Sequence, residues 1–452
     1  MEIRKPPSAG SACEFSIPPL YMKRKEWGKL MASMSKVDQR MNDAWTLPNG
    51  LRIVGERLPY LRTVSVGVWL HVGSMMELPD ENGLSHLMEH MVFKGTEKRT
   101  TRQIAEEMDA VGGQLNAFTG KDCTCFYAKV IDEDLELALD MLSDMTISAT
   151  LDSAELEKER GVVLEEIAMD EDSPEDLVTD LLAATQFAGQ SLGMPILGPA
   201  SQVSAYTRDD LLAFRAKHYC PGETVVAVAG SYDPAKLREL CERYFGSWSS
   251  ASALLAVPPQ RVLCAGVSRR VKDTEQTHLC LGFPGTAYGS PDVYAQAVLN
   301  NVLGGAMSSR LFQRIREELG MAYTIYSYPS SYQGCGTFGV YAGVSPRNAE
   351  RVLGEIRAEL TRLLEGGITA KEFRDGRQML RSGYLMGLES SGSRMQAMGR
   401  SLLLLGTQQT PEETVARIDS VNEDAVMAAA ARILTNDPCI ALVGPNADKI
   451  AL

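Results

Sequence analysis

Apolar and polar residues recur with two different periods along the chain, and these periods predict both strands and helices. In "TVSVGVWLHV", which begins at Thr63, every second residue from Val64 to Leu70 is apolar, as in a strand with one buried face. The preceding "LPNGLRIV" contains an Asn-Gly pair, which is typical of a hairpin turn. "QLNAFTGKDCTCFYAKV" predicts two more strands around a turn. The chain after Met41 is therefore expected to form a sheet.

Helical spacing of apolar residues alternates with these strands. "DEDLELALDMLSDM" and "DSAELEKERGVVLEEIAM" are predicted helices, and Asp152 is a candidate N-cap of the second. Thr100 and Gln103 form a predicted capping box, and the helix they begin is expected to end at Gly112–Gly113. The mixture predicts the α+β fold class, with helices packed on a mainly antiparallel sheet.

The end of the chain repeats the pattern found near its middle. "TRDDLLAFRAKHY" followed by "TVVAVAG" matches "NEDAVMAAAARIL" followed by "CIALVG", and these two strands end at Gly230 and Gly444. "TLDSAEL" from Thr150 parallels "GITAKEF" from Gly367, at nearly the same separation along the chain. The sequence therefore predicts two homologous domains, each a duplicate of one unit.

Composition places the domain boundaries. "GSWSSASALLAVPPQ" is rich in Ser, Ala and Pro, so we predict a linker at 246–262 between an N-terminal domain at 41–245 and a C-terminal domain at 263–452. Residues 1–40 are rich in Lys and Arg but lack the apolar core of a secretory signal. We expect them to be a disordered extension, or sequence upstream of a start at Met41, rather than an organelle transit peptide.

Charge and cysteine content exclude several classes of protein. The chain of 452 residues carries a net charge of −13, which argues against a nucleic-acid-binding protein and favours basic partners. No apolar run reaches the length of a membrane span. Among nine cysteines only Cys123 and Cys125 lie close together, and on a strand they face the same way, which suits neither a disulfide nor a CxxC site. All nine are interpreted as reduced thiols in a reducing compartment. Because residues 1–40 do not resemble a transit peptide, we expect a bacterial-type cytoplasmic location rather than the mitochondrial matrix.

The stretch "GLSHLMEHMVFKGT", Gly83–Thr96, carries the clearest candidate chemistry. His86 and His90 lie four residues apart, so a helix would project both imidazoles from one face toward one ion. Glu89 lies beside them and could act as a general base on a water molecule at that ion. The order His-x-x-Glu-His is the inverse of His-Glu-x-x-His. The alternative is a helix with polar side chains at its edge. The remaining histidines stand alone and are interpreted as structural: His71, His218 and His278.

Three stretches resemble one family closely: "GLSHLMEHMVFKGT", "GGQLNAFTGKD" and "LEKERGVVLEEI". The chain resembles the pitrilysin/insulinase (inverzincin) family of zinc metallopeptidases from about Trp45 to Gly444, most of all bacterial relatives of the mitochondrial processing peptidase β subunit. By its spacing from His90, the resemblance implies that the third zinc ligand is Glu166, in "ERGVVLEE". Glu165 is adjacent and turned by about 100° on a helix. The residues alone do not separate the two, and the resemblance selects Glu166.

The resemblance also implies supporting and substrate-binding residues. Glu159 would orient a histidine or the water molecule, although it could be an ordinary solvated helix residue. Asn116 and Ala117 would pair with an extended peptide, or form a simple hairpin edge. In "SRLFQRIREELGMAYTIYS", Arg316 and Tyr323 would bind the scissile carbonyl or the peptide backbone. Arg314 competes for that role, and a surface arginine with a core tyrosine is the alternative.

The second half carries no metal motif of its own. In "VLNNVLGG", Asn300 and Asn301 fall where the first half has Glu89 and His90, and Gly383 falls at the counterpart of position 166. The resemblance therefore implies an endopeptidase with one zinc ion per chain, which encloses short or unfolded peptides in a chamber. It also implies a clamshell-half architecture and a homodimer, or a heterodimer with a related subunit. The alternative is a non-catalytic or partner-dependent subunit of a processing-peptidase-like complex.

Overall fold

The computed structural model describes residues 42–250 and 259–452. The predicted extension at 1–40 and the middle of the predicted linker, 251–258, lie outside the described residues. The boundaries at 41–245 and 263–452 remain our proposal for the two domains. Below, the first half means residues 42–250 and the second half means residues 259–452.

The first half alternates strands with helices. Its strands are β1 Asn42–Thr46, β2 Arg52–Arg57, β3 Thr63–Leu70, β4 Gln114–Thr119, β5 Thr124–Ile131 and β6 Thr224–Gly230. Its helices are α1 Leu84–Val92, α2 Thr101–Ala110, α3 Leu135–Ser148, α4 Ser153–Asp172, α5 Pro174–Gln186, α6 Ala200–Val203, α7 Arg208–His218 and α8 Pro234–Phe245. Short 3₁₀ turns lie at Ser74–Met76, Asp132–Asp134, Ser191–Gly193 and Pro221–Glu223.

The second half repeats this arrangement with fewer elements. Its strands are β7 Val267–Val271, β8 Thr277–Pro284, β9 Ala322–Ser331, β10 Gly336–Val344 and β11 Cys439–Gly444. Its helices are α9 Val293–Leu303, α10 Ala349–Gly366, α11 Ala370–Gly387, α12 Ser391–Leu405, α13 Pro411–Ser420 and α14 Glu423–Leu434. A π-helical segment covers Phe312–Glu318, and a 3₁₀ turn covers Pro346–Asn348.

The two sheets share one topology, as expected for a duplicated unit. In the described residues, the first sheet has the order β1-β2-β6-β3-β5-β4 and the second has β7-β11-β8-β10-β9, so the first differs by the added strand β1. The β2–β6 and β7–β11 pairs are parallel, and every other neighbouring pair is antiparallel. The prediction of two homologous, mainly antiparallel α+β units is confirmed.

The turn and the two helix caps predicted from local sequence are present in the structure. The Asn-Gly pair forms the turn between β1 and β2, where Gly50 takes a φ of 93° that favours glycine. Thr100 and Gln103 form the capping box of α2. The side chain of Asp152 caps α4 by accepting hydrogen bonds from two backbone amides. No disulfide joins any two of the eight described cysteines.

Two helices are exchanged between the halves. Helix α5 of the first half packs on β8 and β11 of the second sheet, where Val178 and Leu182 join a buried cluster with Cys280. Helix α12 of the second half packs on β3 and β6 of the first sheet, where Met395 joins a cluster with Trp69. Each sheet therefore has its own helices on one face and a borrowed helix on the other.

The exchange corrects one expectation. Strand β3 was expected to bury one face, but seven of its eight residues are buried and only Thr63 is partly exposed. Ser65 is buried against Ser391 of α12, with 2.9 Å between the two hydroxyl oxygens. Trp69 also points toward α12, with its indole Nε1 3.4 Å from the sulfur of Met395. The prediction of a half-buried strand is wrong because α12 covers the second face.

Candidate metal centre

The start of helix α1 is fixed by a buried carboxylate that sequence reasoning did not select. Glu77 accepts hydrogen bonds from the backbone amides of Gly83 (2.9 Å) and Ser85 (2.7 Å), and from the side chain of Asn82 (3.0 Å). Burial raises the pKa of Glu77, and these hydrogen bonds oppose that effect. Since free amides at a helix start need acceptors, Glu77 acts as the cap of the helix that carries both histidines.

Three predicted ligands converge at one point. The Nε2 atoms of His86 and His90 lie 3.6 and 3.5 Å from the same carboxylate oxygen of Glu166. One donor atom from each residue fits within a mutual distance of 4.8 Å. Around a tetrahedral zinc ion with bonds of about 2.1 Å, ligand atoms are separated by about 3.4 Å. The nitrogen-to-oxygen separations and the two-imidazole, one-carboxylate donor set therefore fit a zinc ion.

The electrostatics of the histidines also suit metal binding. Burial lowers the pKa of His86 to about 4, with a smaller contribution from His90. The imidazole is therefore neutral at physiological pH, as a metal ligand must be. Glu165 is exposed, whereas Glu166 turns toward the histidines. The geometry thus favours Glu166, the residue that the resemblance selected.

Glu159 holds the second histidine in place. Its buried carboxylate accepts a hydrogen bond from Nδ1 of His90 at 3.2 Å and pairs with the ammonium of Lys94 at 2.6 Å. With Nδ1 donating to Glu159, Nε2 of His90 carries the lone pair and faces Glu166. Lys94 neutralises the buried carboxylate, a contact that sequence reasoning missed.

Glu89 is positioned by the neighbouring sheet. Its carboxylate accepts a hydrogen bond of 2.5 Å from the hydroxyl of Thr119 at the end of β4. Burial raises the pKa of Glu89, and the Thr119 hydrogen bond acts in the opposite direction. Thr119 therefore links α1, the helix with both histidines, to β4, the strand expected to bind peptides. The sequence did not single out Thr119.

The two predicted peptide-binding residues lie on that strand. β4 ends the first sheet, so its outer edge faces no further strand within the described residues. Asn116 is exposed, and its side-chain oxygen accepts a hydrogen bond of 2.8 Å from the amide of Ala117. The Asn116 side chain thus satisfies the backbone amide of Ala117. A peptide that pairs with β4 would take the place of this side-chain oxygen.

The structure places the two second-half candidates, Arg316 and Tyr323, side by side. The guanidinium of Arg316 lies 4.8 Å from the ring centre of Phe312 and 5.4 Å from that of Tyr323. Tyr323 is 73% exposed, so it is not a core residue. Arg314 pairs instead with Glu318 at 2.9 Å and with Glu355 at 3.3 Å. Among the described residues, Arg316 pairs only with Glu317, at 3.9 Å, so its ion pairing is weaker than that of Arg314.

The other histidines have structural surroundings. The ring of His71 bridges Glu223 (2.9 Å) and Gln333 (3.0 Å), and so links the two halves. His278 contacts the hydroxyl of Tyr341 at 2.7 Å. His218 is buried against the ring of Phe214, with 4.4 Å between centroids.

The counterpart of the metal site in the second half is closed by hydrogen bonds. The side chain of Asn301 donates to the backbone carbonyl of Gly376 at 3.0 Å, and that of Asn300 accepts from Ser327 at 2.7 Å. Gly383, on α11, has no side chain to offer as a ligand. Within the described residues, His86, His90 and Glu166 form the one cluster of this kind that could hold a metal ion.

Comparison with known proteins agrees with this division. Residues 52–200 match the family model described as insulinase (peptidase family M16), and residues 205–380 match the model of the M16 inactive domain. The chain belongs to the M16 peptidase family. A relative from Bacillus subtilis, named an uncharacterized zinc protease, is 41% identical over 89% of this chain and 98% of its own. A protein of Streptomyces coelicolor with the same description is 43% identical over 90% of each chain.

Two proteins with solved structures share the fold. A protease from Helicobacter pylori superimposes with a TM-score of 0.85 at 24% identity, over 89% of this chain and 99% of that one. A family member described as an M16 inactive domain, from Pseudomonas fluorescens, gives a TM-score of 0.84 at 20% identity, over 89% and 98% of the two chains.

The helices within residues 42–250 and 259–452 do not provide a membrane span. None of those in the described ranges combines the length and the apolar composition that crossing a bilayer requires.

Proposed function

We propose that this M16 family member is a zinc-dependent endopeptidase whose metal is held by His86, His90 and Glu166. The observation that carries the proposal is the meeting of three donor atoms within 4.8 Å of one another. The carboxylate of Glu89 lies on α1, the helix that carries both histidines. The names of the bacterial relatives, which are zinc proteases, support the choice of metal.

The residues divide the work of peptide hydrolysis. His86 and His90 bind as neutral imidazoles and Glu166 as a carboxylate. When bound, zinc supplies a Lewis acid that polarises the scissile carbonyl and lowers the pKa of a water molecule. Glu89 takes a proton from the attacking water and passes it to the leaving amine. Burial, which raises the pKa of Glu89, makes its carboxylate a better proton acceptor.

The remaining predicted residues act on the substrate and on the ligands. Glu159 orients His90, so it is a positioning residue rather than a metal ligand. Asn116 and Ala117 on the free edge of β4 add the peptide as a further strand. Arg316 and Tyr323 contact its backbone or the oxyanion from the second half. This last role requires the second half to face the metal site across the peptide.

Assembly and location follow from the same proposal. We infer that short or unfolded peptides are cleaved in an enclosed chamber, which a homodimer or a pair with a related subunit completes. A cytoplasmic location of the bacterial type is compatible with the free thiols of the described cysteines. Cell fractionation tests the location, and light scattering of the purified protein tests the assembly.

Replacing Glu89 by Gln tests the mechanism. The amide keeps the size of the side chain but accepts no proton, so we expect full zinc content and a loss of kcat of at least about 100-fold. Zinc per chain is measured by atomic absorption, and cleavage is measured on a pool of unfolded peptides. Wild-type rates in this variant would contradict the assignment of the base.

The alternative function has a distinct outcome. A chain that binds one zinc ion but cleaves no peptide until a related subunit is added would be a partner-dependent subunit. A chain that cleaves alone, and stops when a chelator removes the metal, is the endopeptidase proposed here.

A further inference from the structure

A cavity of about 500 Å³ lies between the two halves, away from the metal ligands. The first half contributes Trp69 and Phe118 to its wall, and the second half contributes Tyr288 and Tyr332. Phe118 packs with the buried cluster beneath α12, whereas its neighbour Thr119 contacts Glu89. Since successive residues of a strand point to opposite faces, the cavity and the metal site lie on opposite sides of β4.

A cation and an anion meet in this aromatic cavity. The guanidinium of Arg400, on α12, lies 3.3 Å from the carboxylate of Asp122 and 4.7 Å from the ring centre of Tyr288. Asp122, in the turn between β4 and β5, is 3% exposed. The buried Nε of Arg400 has no hydrogen-bond acceptor among the residues that the structure describes. One guanidinium nitrogen of Arg400 donates both to Asp122 and to the backbone carbonyl of Ser331, each at 3.3 Å, so Arg400 and Asp122 are joined by one long contact.

The second cation of the wall is already engaged. Lys121 lines the cavity, but its ammonium group donates a hydrogen bond to the backbone carbonyl of Met194. Burial lowers the pKa of Lys121. Arg400 and Asp122 therefore supply the charges that a ligand in the cavity would meet.

This arrangement favours one class of ligand over others. A cavity of this volume is in the range that holds small molecules, and its aromatic rings would stack on a ligand ring. A phosphate or another strongly anionic group would be repelled by Asp122, and a simple cation would be repelled by Arg400. A ligand that carries one charge of each sign satisfies both side chains.

We propose that the cavity binds a small zwitterion with an aromatic side chain, the class that includes free aromatic amino acids. Its carboxylate accepts hydrogen bonds from the exposed part of the Arg400 guanidinium, and its ammonium group pairs with Asp122. Its ring lies against Trp69, Phe118, Tyr288 and Tyr332. The site uses none of the metal-binding residues, so ligand binding is independent of whether the chain cleaves peptides.

Calorimetric titration with L-phenylalanine tests the proposal. We expect saturable binding, weakened at least about tenfold when the carboxylate is removed in phenylalaninamide or the ammonium group is blocked in N-acetylphenylalanine. L-leucine, which keeps both charges without a ring, should bind more weakly as well. Absence of binding at millimolar L-phenylalanine, or equal binding of all four compounds, would overturn the proposal.

Substitutions in α12 test whether the ligand binds in this cavity. Arg400→Gln should weaken L-phenylalanine binding at least about tenfold. Arg394→Gln is the matched control, because Arg394 lies on the same helix and forms an ion pair with Glu56 of the other half, but does not line the cavity. Thermal unfolding shows whether each variant is folded.

A second variant fills the cavity without breaking the ion pair. Ala397 lines the cavity from an exposed position on α12, so Ala397→Phe should fold normally and block binding. A folded Ala397→Phe protein that binds L-phenylalanine as the wild type does would show that the ligand binds elsewhere, and the proposal would be wrong.

Discussion

Glu159 contacts two residues at the end of the metal-binding motif, His90 and Lys94. Replacement by Gln would keep a hydrogen-bond acceptor for the imidazole but remove the charge that Lys94 balances. Supporting partners of this kind typically affect metal affinity by about 10- to 100-fold. We expect Glu159→Gln to bind zinc at least about tenfold more weakly, as measured by competition with a chromogenic chelator.

A neighbouring glutamate provides the control for this prediction. Glu165 lies on the same helix, is exposed, and is next to Glu166 in sequence. Glu165→Gln should therefore leave zinc affinity unchanged. If Glu165→Gln lost zinc while Glu166→Gln retained it, the third ligand would have been assigned to the wrong residue.

Tyr323 tests the proposed contribution of the second half to the chemistry. Its exposed phenol stands beside Arg316, so Tyr323→Phe removes one hydrogen-bond donor without disturbing a core. We expect kcat to fall about 100- to 1000-fold with unchanged zinc content, as on loss of an oxyanion donor. Tyr60→Phe, at another exposed tyrosine, should have no effect. Unchanged turnover in Tyr323→Phe would reject the role.

Residue types and spacing selected the candidate ligands but few of the residues that contact them. His86, Glu89 and His90 were selected because one helix turn brings them together, and a resemblance was needed to choose Glu166 and the supporting Glu159. The other supporting residues escaped because their roles depend on contacts that arise only on folding: Glu77, Lys94 and Thr119. A carboxylate that caps a helix from outside leaves no periodic signal in the sequence.

At the scale of elements, local signals predicted strands, helices and caps, whereas the exchange of α5 and α12 was not predicted. The second face of β3 is buried by a helix that begins at Ser391, far along the chain from the end of the strand at Leu70. The alternation of apolar residues along a strand indicates only the face that packs on helices close to it in sequence. Trp69 and Ser65 were therefore expected to be exposed, and the structure buries both.

The contact between α12 and β3 depends on a glycine. A Cβ atom at Gly399 would overlap the indole nitrogen of Trp69, so the helix would have to move away from the sheet. We expect Gly399→Ala to lower the free energy of unfolding by about 1–3 kcal/mol, as overpacking does. Urea unfolding followed by circular dichroism measures the change.

Another glycine on the same helix is the control. A Cβ atom at Gly392 would come no closer than 3.6 Å to a neighbouring atom, the Ser390 hydroxyl oxygen. Gly392→Ala should therefore leave stability unchanged or raise it slightly. Equal stability of the two variants would mean that α12 does not pack tightly on β3.

At the scale of the whole molecule, the net charge of −13 bears on the choice of substrate. Negative charge also accumulates near the candidate ligand Glu166, since burial and the neighbours Asp180, Asp176 and Glu166 raise the pKa of Asp170 to about 6. We expect basic peptides to have a higher kcat/KM than acidic peptides of equal length at low salt. The difference should shrink as salt screens the charges. Equal rates at low salt would remove the basis for this preference.

The exchange of helices has a consequence for synthesis on the ribosome. The first sheet is complete in sequence at Gly230, but the helix that covers Trp69 and its neighbours ends only at Leu405. At typical rates of translation, the growing chain waits on the order of ten to thirty seconds with an apolar sheet face uncovered. We therefore expect the nascent first half to expose this apolar face until α12 has been synthesised, a state in which it could aggregate or bind chaperones.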